Sequence, residues 1–115
     1  MKEFVLIFRN SLNKGEKPSP EQMQEIMNSW MNWMGSIAAQ NKLANPGNRL
    51  AYGEAKIVSP GQVVTDGPFT EIKEFINGYI IVKVDTVDEA VELGKGCPIL
   101  KDGGNVEVRA IIPNN

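Results

Sequence analysis

A chain of 115 residues, 42% hydrophobic and 23% charged, suits one soluble domain with a modest core, and its net charge of −2 gives no electrostatic footprint for nucleic acid. Histidine is absent, which removes the commonest general base and metal ligand. Cys97 is the single cysteine, so neither an internal disulfide nor a CxxC metal or redox motif is available.

The first apolar run, Phe4–Phe8, is far too short to span a membrane or to serve as a signal peptide's hydrophobic region. A cytoplasmic protein with no membrane partner is the expectation. Lys2–Arg9 (KEFVLIFR) predicts a strand that is apolar on both faces, with Phe4, Leu6 and Phe8 on one side and Val5 and Ile7 on the other. A loop with Gly15 and Pro18 follows. Ser19-Pro20-Glu21-Gln22 then announces a helix: Ser19 suits the N-cap, Pro20 the first helical position, and Gln22 completes a capping box. Met23, Ile26, Met27, Trp30, Met34 and Ile37 fall at helical spacing and form a wide apolar stripe. Asn41 suits a left-handed cap, and Asn45-Pro46-Gly47 reads as the close of the element.

Arg49–Val58 and Gln62–Thr65 read as two strands joined by Ser59-Pro60-Gly61, where Pro-Gly favours a tight turn. After the Asp66-Gly67-Pro68-Phe69 loop comes a long strand, Phe75–Val84, again apolar on both faces. Thr86-Val87-Asp88-Glu89 predicts a second capping box, with acids suited to the positive end of a helix dipole. That helix ends near Gly96, and Asn105–Pro113 supplies the last strand. Gly94–Pro98 (GKGCP) lies at a helix end rather than a helix start, so it reads as a helix stop and not as a phosphate loop.

The order is read as α+β: a ferredoxin-like βαββαβ unit with an extra hairpin, one antiparallel sheet and two helices on one face. Two helices cover only one side of such a sheet. The second apolar face of the strands at Phe4–Phe8 and Phe75–Val84 requires another cover, and the simplest is a second copy, sheet against sheet.

Two features carry candidate chemistry, each beside a plainer explanation. Trp30 and Trp33 lie within or beside the helix stripe; large apolar residues at that spacing pack cores, while an indole between helix and sheet also makes a flat wall for a small organic ligand. Asp66, Gly67 and Pro68 are ordinary turn residues. Yet Asp66, Glu71, Lys73 and Glu74 cluster in a loop leading into an apolar strand, where a carboxylate at a pocket mouth can anchor a ligand or move a proton. Cys97, with no histidine as its base, reads as a buried small residue rather than a nucleophile.

The stretch Val64–Pro98 resembles the YCII-related family, in its DGPF branch. The likeness rests on Asp66-Gly67-Pro68-Phe69, the Glu71/Lys73/Glu74 run, Gly78-Tyr79 and Asp88-Glu89-Ala90, and extends through the opening FVLIF strand and the closing Val106–Arg109. The resemblance implies a single domain over residues 1–115 and a dimeric α+β barrel. It also implies kinship with small cofactor-free isomerases and monooxygenases, or with regulatory modules found beside transcription sigma factors. The family's other branch carries a histidine on the first helix, near the position of Trp30 here, thought to pair with an aspartate. This chain has none, so Asp66, if catalytic, acts alone or with Lys73, Glu71 or Arg49. The expected function is a homodimer binding a small molecule between sheet and helices, with no cofactor and no metal. Trp30, Trp33, Arg49, Phe69, Glu71 and Lys73 are the expected ligand contacts. The alternatives are an isomerase- or lyase-like enzyme using Asp66, or a regulatory module associated with transcription.

Overall fold

The alternating opening segment becomes a central strand. In the computed structural model, which describes residues 1–11, 19–51, 53–67 and 74–114, β1 (Lys2–Ser11) lies between β5 (Glu74–Val84) and β6 (Asn105–Ala110), antiparallel to both. The other elements are α1 (Pro20–Ala39), β2 (Leu43–Arg49), β3 (Ala55–Ser59), β4 (Val63–Gly67), α2 (Val87–Gly94) and a 3-10 helix at Pro98–Asp102. β2 pairs with the far side of β5, giving a four-stranded antiparallel sheet of order β2-β5-β1-β6. This is the ferredoxin-like arrangement expected of the sequence, with β3 and β4 forming a separate two-stranded sheet.

Both helices lie on one face. Phe4, Leu6 and Phe8 of β1 and Ile80, Val82 and Val84 of β5 are buried there with Trp33 and Ile37 of α1, Ala90 of α2, Cys97 and Ile99. Direct cross-strand partners share a face, so Val106 and Val108, opposite Phe8 and Leu6, complete this layer.

The first helix start behaves as its sequence predicts, and the second makes the Thr86 half of its expected capping box. Ser19 Oγ accepts the Gln22 N–H at 3.1 Å and Gln22 Oε1 accepts the Ser19 N–H at 2.9 Å, so both halves of the box are made. Thr86 Oγ1 accepts the Glu89 N–H at 3.2 Å. Asn41 adopts φ 58° just past the end of α1, the left-handed conformation asparagine tolerates. The expected apolar stripe of α1 packs on the core through Trp30, Met34 and Ile37, joined by Trp33, but not through its first two methionines. Trp33 and Ile37 face the core while Met23 and Met27 stand exposed; among the described residues the buried helix-facing side chains of β1 run from Phe4 to Asn10.

One strand assignment is corrected. Asn45-Pro46-Gly47, expected to close a helix, lies inside β2, and Arg49–Val58 is not one strand: β2 ends at Arg49 and β3 begins at Ala55. β2 is an irregular edge strand whose pairing with β5 shifts register between Leu43 and Asn45 and again between Asn45 and Asn48. Proline is tolerated at such an edge. Gly47 (φ +65°) makes the pairing possible, since a Cβ there would sit 1.7 Å from the Tyr79 carbonyl oxygen.

The hairpin is where the sequence puts it, turning through Pro60, Gly61 and Gln62, with Gly61 and Gln62 at positive φ. It extends the molecule. The radius of gyration is 15.8 Å, against roughly 13 Å for a compact chain of this length, and the principal extents are 45 × 42 × 19 Å. The thin dimension is that of a sheet and one helix layer, so the hairpin departs within the broad plane of the molecule.

Candidate functional site

The aromatic residues of α1 meet β1 at one end of the sheet. Phe8 stands edge-on to Trp30 at 5.0 Å and to Trp33 at 5.8 Å, and the two indoles are 5.8 Å apart at 81°. These are the edge-to-face geometries that ring quadrupoles favour. The indoles have different surroundings. Trp33 is 8% exposed, and its Nε1–H donates to the Leu93 carbonyl of α2 at 2.9 Å, so it ties the two helices together. Trp30 is half-buried, with part of its ring open to solvent. β5 enters the sheet at this same end, where Glu74 lies opposite Ser11, three residues beyond Phe8.

The other expected site residues are less close-set. Asp66 lies on β4 opposite Lys56, and the two side chains form an ion pair on the hairpin. The Asp66 side chain is 88% exposed, so its carboxylate faces water rather than a pocket wall. Arg49 is exposed at the end of β2, opposite Gly78. Phe69, Glu71 and Lys73 lie outside the described residues. Of the expected contacts, Trp30 and Trp33 are brought together, whereas Asp66 pairs with Lys56 on the hairpin and Arg49 lies at the end of β2.

Cys97 is buried, and loss of solvation pushes its thiol up to about 12, against a smaller lowering by a hydrogen bond from the Ile99 backbone. A thiol held protonated at neutral pH is a poor nucleophile, in line with the packing role its sequence context suggests. Among the described residues, no three His, Cys, Asp or Glu side chains gather as a metal would require. No helix among them is long and apolar enough to cross a membrane.

The second face of the sheet has a composition of its own. By register, Val5, Ile7, Tyr79 and Ile81 occupy its centre, all half-buried. Polar groups surround them. Arg9 pairs with Glu107, and Arg109 Nε lies 3.7 Å from the other oxygen of Glu107. Glu3 and Lys83 face each other at one end, and Asn48 Nδ2 donates to Tyr79 Oη at 3.1 Å on the other side. The sequence reading found the apolar centre but missed this rim and the part played by Phe8. The signal was present in the alternation that puts Arg9 in phase with Val5 and Ile7, and Glu107 with Arg109.

A family model for the YCII-related domain matches residues 4–115. The chain belongs to that family. Its α+β architecture, with two helices on one face of an antiparallel sheet, suits a small YCII-related domain, and a comparison with curated proteins finds no match.

Proposed function

We propose that residues 1–115 act as a single YCII-related domain of the DGPF kind, which pairs with a second copy and binds a small molecule at the aromatic end of the sheet. The observation that carries the binding reading is the half-open Trp30 indole, held by Phe8 and Trp33 at the junction of sheet and α1. A flat apolar wall near the point where β5 enters the sheet is the kind of surface that takes an organic ligand. Trp33, with its N–H committed to Leu93, supports the wall rather than opening to a ligand. Asp66 is held on the hairpin by Lys56, so a part for it, or for Arg49, in binding is left to the variants below, while Phe69, Glu71 and Lys73 lie outside the described residues.

Pairing is supported by the second sheet face. An apolar centre inside a polar rim is the anatomy of an interface. Three cations (Arg9, Lys83, Arg109) and two anions (Glu3, Glu107) give the rim both signs, which suits a copy of itself better than a polyanion.

A metabolite library screened by thermal shift tests the binding reading, because a ligand at a hundredfold excess over Kd raises apparent stability by about 2.7 kcal/mol. A hit on the wild type that is lost in Trp30→Ala supports the site, and a hit that persists there places the ligand elsewhere. Product analysis on each hit separates binding from turnover. If product forms and stops forming in Asp66→Asn, the isomerase- or lyase-like reading is the right one. The regulatory reading gains instead if the hits bind without being consumed.

A further inference from the structure

Among the described residues, the β3–β4 hairpin has neither a third strand nor a packed helix. Its strands pair with each other in a sheet of their own among the described residues, and its valines are open to water there: Val58 is 71% exposed and its cross-strand partner Val64 is 59% exposed. A two-stranded hairpin alone in water is marginally stable, and needs a further strand or a packing layer. The chain spends residues 50–73 on joining β2 to β5, neighbours in the sheet that a tight turn would connect. This excursion begins and ends at the border of the polar-rimmed sheet face, beside Arg49 and Glu74.

We propose that the hairpin is an arm that packs the Val58–Val64 side against a second copy of this chain. This rests on the pairing reading given above and adds a separate contact to it. Area favours this occupant. The open face covers Glu3–Arg9 in length and four strands in width, roughly 400 Å² at about 3.4 Å per residue and 4.8 Å per strand. A stable pair buries about 800 Å² per partner. The face alone falls short, and the arm, which follows β2 in the chain, offers further exposed apolar surface in Val58, Val63 and Val64. The Lys56–Asp66 pair beside the valines gives the arm one charge of each sign, matching the mixed rim of the face.

Sedimentation velocity over a dilution series tests the arm with Val58→Glu. Val58 is exposed, so the substitution spares the body of the fold, which tryptophan fluorescence checks. The wild type is expected to dimerise, and Val58→Glu to raise the dimer dissociation constant at least tenfold. Val58→Thr keeps a β-branched strand residue while losing apolar surface, and should raise it less; it serves if the glutamate variant misfolds. A dimerising wild type whose dissociation constant is unchanged in both variants overturns the arm and leaves the pairing reading standing. A wild type that stays monomeric at all concentrations overturns both.

Discussion

Trp33→Phe tests whether this indole is a structural tie rather than a binding wall. The substitution keeps a ring in the cluster with Phe8 and Trp30 but removes the N–H that donates to Leu93. The Leu93 carbonyl is not orphaned, because it also accepts from the Lys95 and Gly96 N–H groups at the end of α2. The hydrogen-bond loss is therefore about 1 kcal/mol, the net value of an exchanged bond, and not the larger cost of an unsatisfied buried carbonyl. The lost part of the indole, roughly 40 Å² of buried apolar surface, adds about 1 kcal/mol. The sum of about 2 kcal/mol should lower the melting temperature by about 8 °C for a chain of this size. Urea denaturation followed by circular dichroism should give a lower midpoint at unchanged slope. Trp30→Phe, with the ring already half-open, should cost less than half as much. A Trp33→Phe variant within 0.5 kcal/mol of the wild type, or costs that rank the other way round, would refute the assignment.

Gly47→Ala places a methyl against the Tyr79 carbonyl at a positive φ; strain of about 1–3 kcal/mol should appear as faster amide exchange in β2, measured by hydrogen–deuterium exchange, while β1 keeps its protection. Ile7→Lys puts a cation at the centre of the open sheet face, where a monomer lets it reach water and a paired sheet does not; sedimentation at micromolar concentration should give about twice the 12.7 kDa chain mass for the wild type and a monomer for the variant. Burial lets Cys97 keep its proton in the folded state up to about 12, against 9.0 for a solvated thiol; the unfolded chain loses its proton first, so stability that is intact below pH 9 falls as pH rises towards 12. Chemical denaturation from pH 8 to 11 should therefore show a steeper loss for the wild type than for Cys97→Ala.

Much of the fold was legible because its signals are local and repeat. The alternation in Lys2–Arg9 separates Phe4, Leu6 and Phe8 from Val5 and Ile7, and the sheet buries the first set under the helices. Ser19 and Thr86 mark helix starts that form, the first with its full capping box and the second through the Thr86 N-cap bond, and Pro60-Gly61 marks a hairpin that forms. β2 was hidden because Asn-Pro-Gly has the chemistry of a turn, and only its neighbour β5 turns it into an irregular strand. The choice of Trp33 over Met23 and Met27 for the core was likewise out of reach, since all three belong to one wide sector of α1. What decides between them is tertiary packing: Trp33 meets Phe8 and donates to Leu93 of α2. For the candidate site, sequence proximity grouped Asp66 with the charges that follow it. Pairing across the hairpin gives it to Lys56, ten residues earlier, a relation that depends on the turn's register.

The irregularity of β2 also bears on how the molecule avoids uncontrolled growth. A four-stranded open sheet has two free edges, here β2 and β6, and each is a template on which a foreign strand can add. On β2, Pro46 supplies no N–H and the pairing slips register twice within seven residues, so an incoming strand meets an interrupted ladder. On β6 the pairing runs unbroken from Asn105 to Ala110, guarded by the charges of Glu107 and Arg109 rather than by backbone geometry. The sheet is therefore polar in its capacity to polymerise. Fibrils or swapped assemblies of this chain would nucleate along β6, and replacing Glu107 and Arg109 together by apolar residues would open that route, while replacing Asn45 and Asn48 on β2 by apolar residues would not.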